Sequence, residues 1–174
     1  MELPILPATK IEINQSRSLD VYGDFFVQGI EDHLISFVSN TGNFWEGINL
    51  LPFSTSNFQY SIIDKADIGI NAFTCSTSMF ECILSNNNIG LFMDNCGISD
   101  IKNSTFENNL TTGIKLKDSS PQLSNNIIRN NLGNGLHILD ISFPDMSDNS
   151  NNQIYSNTLN EIEMICGHPV MFNG

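Results

Sequence analysis

Residues 103–116 read NSTFENNLTTGIKL, and residues 125–138 read NNIIRNNLGNGLHI, 22 positions further along the chain. Both stretches share the pattern Asn-x-x-Phe/Ile-x-Asn-Asn-x-x-x-Gly-Ile/Leu-x-Leu/Ile. Similar segments at a fixed spacing of this length are typical of repeat architectures, in which each copy is one structural unit that stacks on the next. The two stretches therefore indicate a repeat that should continue beyond them.

The repeat extends in both directions and is marked by a glycine followed by alternating apolar residues. The markers are Gly47, Gly69, Gly90, Gly113 and Gly135, with Glu161 at a sixth position. Their intervals are 22, 21, 23, 22 and 26 residues, and the stretch 144–152 can hold the extra residues of the last interval as a loop. The residues one and three places after each marker are apolar. This period of two predicts a β-strand with one buried face.

Two further columns are found by counting back from the markers. Seven places before them stand the apolar residues Ile62, Ile83, Phe106, Ile128 and Ile154. Four places before them stand Lys65, Asn86, Asn109, Asn131 and Asn157. Stacked strands lie about 4.8 Å apart, so a side-chain amide can donate a hydrogen bond to the next coil. The spacing predicts a ladder of asparagine side chains at one turn of every coil.

Short runs broken by Gly and Asn do not suit helices, whereas a stacked coil of short strands accommodates them. We therefore predict an all-β fold, a single-stranded right-handed parallel β-helix of about seven coils. One domain is expected to span residues 1–174. It would comprise opening coils over 1–40, regular repeats over 41–165 with a loop at 144–152, and a C-terminal extension over 166–174.

The charge of the chain limits its partners. There are 7 Lys and Arg residues against 19 Asp and Glu residues, a formal net charge of −12. Such a chain repels phosphate backbones and anionic lipid surfaces, so neither nucleic acid nor membrane insertion is expected. The first residues contain prolines and a glutamate instead of the basic flank and apolar core of a signal peptide.

The repeat units and the opening segment Leu19-x-Val21-x-Gly23, followed by Trp45-x-Gly47-Ile48, resemble the pectin-lyase-like superfamily of right-handed parallel β-helices. The resemblance covers roughly residues 11 to 165. Within the superfamily, the chain is especially similar to proteins with generic parallel β-helix repeats. The superfamily includes polysaccharide lyases, hydrolases, epimerases, adhesins and non-catalytic scaffolds, so the resemblance implies the fold and does not select an activity. It favours a location outside the cell or on its surface.

Enzymes of this superfamily usually act on acidic polysaccharides with clustered aspartates, often together with calcium. Asp118 and Asp140 fall five places after consecutive glycines, and Asp94 lies one place earlier in its coil. Paired carboxylates could bind calcium or act as acid and base. Aspartate also accepts backbone donors in turns, and this second interpretation is favoured. No other metal or cofactor is expected.

Lys115, His137 and Glu163 form an outward column, two places after successive markers. Neighbours at this spacing can interact and could form a sugar-binding face. The alternative is an ordinary solvated surface, because exposed positions of a strand are commonly polar. Trp45 could similarly stack on a sugar ring, although packing in the core is the favoured role.

Cys75 and Cys96 each lie six places after a marker glycine in adjacent coils. Stacked backbones at this separation could accept a disulfide, whereas two free buried thiols are the favoured alternative.

Neither end of the chain shows an amphipathic helix that would cap the open edge of a β-helix, and unpaired edges promote association. The sequence therefore predicts a non-catalytic structural protein that self-associates through its ends into an oligomer or filament. A carbohydrate-binding or polysaccharide-active module is the alternative.

Overall fold

Residues 5–147 and 151–165 are described by the structure, a computed structural model. Nineteen strands make up three sheets, every strand pairing is parallel, and no helix occurs within these two ranges. Each coil contributes one strand to sheet A, one to sheet B and, in five coils, one to sheet C. The predicted all-β parallel β-helix of about seven coils is confirmed.

The strand bounds follow in the spatial order of each sheet. Sheet A contains β1 (Lys10–Ile13), β4 (Ile35–Ser39), β7 (Ser61–Asp64), β10 (Ile83–Ser85), β13 (Thr105–Glu107), β16 (Ile127–Arg129) and β18 (Gln153–Tyr155). Sheet B contains β2 (Ser18–Val21), β5 (Trp45–Leu50), β8 (Ala66–Phe73), β11 (Ile89–Asp94), β14 (Thr112–Lys117), β17 (Asn134–Leu139) and β19 (Ile162–Ile165). Sheet C contains β3 (Asp24–Gln28), β6 (Thr55–Gln59), β9 (Ser76–Phe80), β12 (Asp100–Lys102) and β15 (Gln122–Ser124).

The core fills the inside of the coils with columns of apolar side chains. In sheet B, Ile70, Leu91, Ile114 and Leu136 pair in register and are fully buried. In sheet A the buried column runs through Ile63, Leu84, Phe106 and Ile128. The predicted apolar column was wrong in its first two members. Ile62 pairs with Ile83, Ile83 pairs with Thr105, and both isoleucines are only partly buried.

An asparagine ladder lies at the turn from sheet A to sheet B. The main-chain N–H of Asn87 donates to Asn109 Oδ1 at 3.0 Å, that of Asn109 to Asn131 Oδ1 at 3.0 Å, and that of Asn131 to Asn157 Oδ1 at 3.1 Å. The placement of Asn86 in this ladder was wrong. Asn86 is exposed with a φ of 56°, and it is Asn87 that points inward.

The one-residue error in the predicted ladder position is caused by the length of the turn. Two residues separate Asn87 from Gly90, whereas three separate Asn109 from Gly113. Residues 110 and 111 together occupy the place of Asn88, since their N–H groups donate to the carbonyls of Asn87 and Asn88. Counting back a constant number of residues from the glycine therefore gives the wrong register in the coils with the shorter turn.

The marker glycines allow successive coils to approach closely. A Cβ on Gly90 would lie 2.5 Å from the carbonyl oxygen of Gly113 and 3.1 Å from Asn109 Nδ2. Gly47 departs from the regular register, because it pairs with Ile68 at a β-bulge while Ile48 already pairs with Ile70. Its φ of 112° belongs to the region that essentially only glycine adopts.

The predicted loop is only partly covered by these ranges, and the predicted C-terminal extension is not covered by them. Asp145, in the loop, forms a parallel bridge with Gln122 and so extends sheet C. Residues 148–150 and the extension 166–174, which includes Cys166, lie outside the described residues.

Candidate functional site

The outward column on sheet B brings together the residues that the sequence singled out for ligand binding. Lys115 pairs with His137, and His137 pairs with Glu163. The same column continues in the other direction through Phe92, Asn71, Asn49 and Asp20. We call these seven residues the sheet B column.

Most polar groups of the sheet B column contact each other. Lys115 Nζ lies 5.0 Å from the centroid of the Phe92 ring, a cation–π contact. Asn71 Nδ2 donates to Asn49 Oδ1 at 3.1 Å, and Asn49 Nδ2 donates to Asp20 Oδ1 at 2.8 Å. The hydrogen bond from Asn49 lowers the pKa of Asp20. The column thus contains separate groups of side-chain contacts, one from Asp20 to Asn71 and one between Phe92 and Lys115.

His137 is the least satisfied member of the column. Its Nε2 lies 3.2 Å from Glu163 Oε2, without the alignment of a hydrogen bond, and makes no hydrogen bond within the described part of the chain. Glu163 Oε2 instead accepts a hydrogen bond from Asn134 Nδ2 at 2.6 Å. Burial lowers the pKa of His137 and nearby Lys115 lowers it further, although Glu163 opposes the change.

We expect the free energy of unfolding to fall below neutral pH because of His137. The folded chain protonates this imidazole less readily than the unfolded chain, whose histidine pKa is about 6.5, so the folded state binds fewer protons below that pH. The contribution to stability is complete above pH 6.5 and is lost as the pH drops toward the lower folded pKa. Urea unfolding between about pH 5 and pH 7.5 would measure this loss.

His137→Gln should show a smaller loss over the same pH range than the parent chain. His33→Gln is the matched control for the substitution itself, because His33 lies exposed near the first coils and outside the sheet B column. An unaltered pH dependence in His137→Gln would contradict the assignment.

One of the three candidate carboxylates, Asp94, forms an ion pair with a lysine. Lys117 Nζ lies 3.2 Å from Asp94 Oδ2, and this hydrogen bond raises the pKa of Lys117, with smaller contributions from the charges of Asp118 and Asp140. Asp118 and Asp140 adopt left-handed φ angles of 48° and 53°, and Asp118 Oδ1 accepts the N–H of Ile141 at 3.4 Å. These are features of turn aspartates.

No group of three or more His, Cys, Asp and Glu side chains that could hold a metal ion occurs in residues 5–147 and 151–165. Asp94 is engaged in an ion pair, whereas Asp118 and Asp140 have the backbone conformation of turn residues. Their role as acid, base or calcium ligand stays a prediction.

Trp45 packs in the core. Its side chain is fully buried, and Nε1 donates to the carbonyl oxygen of Asp64 at 2.9 Å. It pairs with Ala66. The N–H of Ala66 donates to Asn87 Oδ1, as the N–H groups of the ladder asparagines do in the later coils. Trp45 thus occupies the position that asparagine takes in later coils, and no face of the ring is open to a sugar.

A second ladder, at the turn from sheet C to sheet A, was missed by the sequence reasoning. The N–H of Ser104 donates to Asn126 Oδ1 at 3.0 Å, and the N–H of Asn126 donates to Asn152 Oδ1 at 3.0 Å. The signal that could have revealed it is the doublet Asn125-Asn126. In such doublets the first residue takes the left-handed turn and the second points inward.

The outer face of sheet A carries an ion pair. Arg129 Nε donates to Glu107 Oε2 at 2.8 Å, and a terminal nitrogen of Arg129 donates to the hydroxyl of Tyr155 at 3.1 Å. These hydrogen bonds raise the pKa of Arg129, first that to Tyr155 and then that to Glu107. A pair at such an exposed surface contributes little to stability.

Cys75 and Cys96 are stacked free thiols. Their sulfur atoms lie 3.8 Å apart and are not bonded to each other. Cys75 also lines a shallow groove of about 330 Å³ at the turn from sheet B to sheet C. Of the sites inferred from the sequence, this pair and the sheet B column are assembled by the fold.

A comparison with protein families matched residues 26–172 to a family described as a right-handed β-helix region. Comparisons with curated proteins and with solved structures gave no match. The search for membrane spans found no sufficiently long and apolar helix among the described residues.

Proposed function

The chain belongs to the family of proteins with a right-handed β-helix region, and from that premise we propose that it is a non-catalytic structural module whose end coils bind a second copy of the same chain. The proposal places the module outside the cell or at its surface, following the resemblance to secreted β-helix proteins. Its main support is the exposure of core positions in the last described coil.

Two residues of β19 carry this argument. Ile162 and Met164 are 45% and 57% exposed, whereas their register partners in the preceding coil, Leu136 and Ile138, are 0% and 1% exposed. Among residues 5–147 and 151–165, strand β19 is the last strand of sheet B. An apolar edge strand with unpaired backbone groups is a template for pairing with another chain.

The first coil carries the same apolar columns at the opposite edge of sheet B. Leu19 belongs to the same inner column as Ile162, and Val21 belongs to the same inner column as Met164. If the first coil of one copy stacks on the last coil of another, both apolar columns continue across the junction. Such a head-to-tail contact repeats without closing and would build a filament.

Charged residues at the same junction weaken the association between two copies. Head-to-tail stacking places Glu163 of one copy beside Asp20 of the next, since both belong to the sheet B column. Like charges directly opposite each other on paired strands are destabilising. Association should therefore increase at high salt, which screens the repulsion.

Sedimentation velocity over a range of protein concentrations tests the proposal. The parent chain should form larger species as its concentration rises, and Met164→Asp should remain monomeric because it places a charge on the apolar junction. Ile98→Asp is the matched control, because Ile98 is 94% exposed in a loop and should not affect association. A parent chain that is monomeric at every concentration, with or without salt, would overturn the proposal.

The carbohydrate alternative has weaker support. Several candidate ligand-binding groups are already engaged within the chain, Lys115 with Phe92, Glu163 with Asn134, and Asp94 with Lys117. A sugar would have to compete with these contacts for the same polar atoms.

A further inference from the structure

Cys75 and Cys96 occupy the same position of two adjacent coils, just after strands β8 and β11. Gly97 N–H donates to the carbonyl oxygen of Cys75 at 3.0 Å, so the two turns stack directly on each other. Parallel strands are about 4.8 Å apart, which lies within the roughly 4.4–6.8 Å that separates the Cα atoms of disulfide-bonded cysteines. The sulfur atoms, 3.8 Å apart, have to approach by less than about 2 Å to form a bond.

A groove gives small molecules access to Cys75, one member of this pair. Its volume is about 330 Å³, and its walls include Phe53, Ser54, Thr74, Cys75 and Asn95. The two cysteines are themselves only 4% and 8% exposed. The opening therefore suits a small reagent and excludes a second protein chain from direct contact with the sulfurs.

The environment of the pair supports reactivity. The hydrogen bond between the two sulfurs favours the thiolate of Cys96 and lowers its pKa to about 7, and the same interaction raises the pKa of Cys75. The thiolate is the form of cysteine that attacks disulfides.

We propose that Cys75 and Cys96 are an oxidation site that a small disulfide compound converts into an intramolecular disulfide. One cysteine thiolate attacks a sulfur of the oxidant and releases the first of its two thiols. The other cysteine then attacks the mixed disulfide, forms the Sγ–Sγ bond and releases the second thiol. Two cysteine thiols are oxidised, one disulfide is reduced to two thiols, and the cysteine protons end on those thiols.

The disulfide would cross-link two adjacent coils. It joins the turn between β8 and β9 to the turn between β11 and β12, 21 residues apart along the chain. A cross-link of this kind restricts the unfolded chain, so the folded form should become more resistant to denaturant. The cross-linked coils lie in the middle of the β-helix, far from the end coils of the proposed assembly.

Oxidised glutathione is the reagent for the test, with thiols counted after denaturation. The chain has four cysteines, and treatment should reduce the number of free thiols from four to two. Peptide mass spectrometry should assign the bond to Cys75 and Cys96. The urea midpoint should rise on oxidation and return to its starting value with a reductant.

Cys82→Ser is the matched control, because Cys82 is buried and lies 3.2 Å from the hydroxyl of Ser61. This variant should still lose two thiols, whereas Cys75→Ser should form no protein disulfide and should stop at a single mixed disulfide between Cys96 and glutathione. The proposal is overturned if the parent chain keeps four thiols, carries a stable glutathione adduct, or forms its bond through another cysteine.

Discussion

Replacing Asn109 with leucine is expected to lower the free energy of unfolding by about 2–5 kcal/mol, because two buried backbone groups lose their partners at once. Asn109 is fully buried, and its Oδ1 accepts the N–H of Asn87 while its Nδ2 donates to the carbonyl oxygen of Leu84. Leucine has a similar volume and fills the space without replacing either hydrogen bond. The ladder is continuous, so the neighbouring coils also lose part of their support.

Urea denaturation, followed by the fluorescence of the one tryptophan, Trp45, and by circular dichroism, measures this change. Asn108→Gly is the matched control. Asn108 is exposed with a φ of 57°, which glycine adopts without strain, so its replacement should change stability by less than about 0.5 kcal/mol. Equal losses in the two variants would show that the inward amide is not what stabilises the turn.

Gly47→Ala should destabilise the fold by about 3–5 kcal/mol, through backbone strain and steric overlap together. A Cβ at this position would lie 1.7 Å from the carbonyl oxygen of Ile68, and backbone atoms cannot move aside as a flexible side chain does. The φ of 112° adds a second penalty for any residue with a Cβ. Relief requires the bulge between β5 and β8 to be rebuilt.

Gly23→Ala provides the comparison for this variant. No atom lies within 4 Å of a Cβ at Gly23, so alanine there should be neutral to within about 0.5 kcal/mol. Thermal unfolding by circular dichroism avoids relying on Trp45, which is close to Gly47 in sequence. A Gly47→Ala chain as stable as Gly23→Ala would mean that the bulge is absent.

The fold could be predicted from the sequence because stacking imposes nearly the same length on every coil. Residues downstream of the marker glycine kept their register, and Lys115, His137 and Glu163 pair as their spacing indicated. Residues upstream kept it only in the later coils, since the turn before the glycine has one residue fewer in the coil of Asn87 than in that of Asn109. A turn of variable length has no periodic signal, and only the register of the paired strands resolves it.

In the candidate site, too, the sequence predicted some features and only the structure revealed others. The sequence placed Asp118 and Asp140 in stacked turns, but the position of Lys117 among the carboxylates depends on where its long side chain extends. Similarly, the spacing of Cys75 and Cys96 indicated adjacent thiols, whereas their separation of 3.8 Å and the groove beside them depend on rotamers and on neighbouring turns.

By itself, the sequence determined the period, the parallel stacking of about seven coils and the columns that follow each marker, because one residue type repeated at one spacing leaves few other ways to bury the apolar positions. The tertiary structure alone decided which asparagine of each doublet points inward, that Trp45 takes the place of an asparagine, and that the core is exposed at β19. Those outcomes depend on contacts between residues about 20 or more positions apart, and such contacts exist only once the coils have stacked.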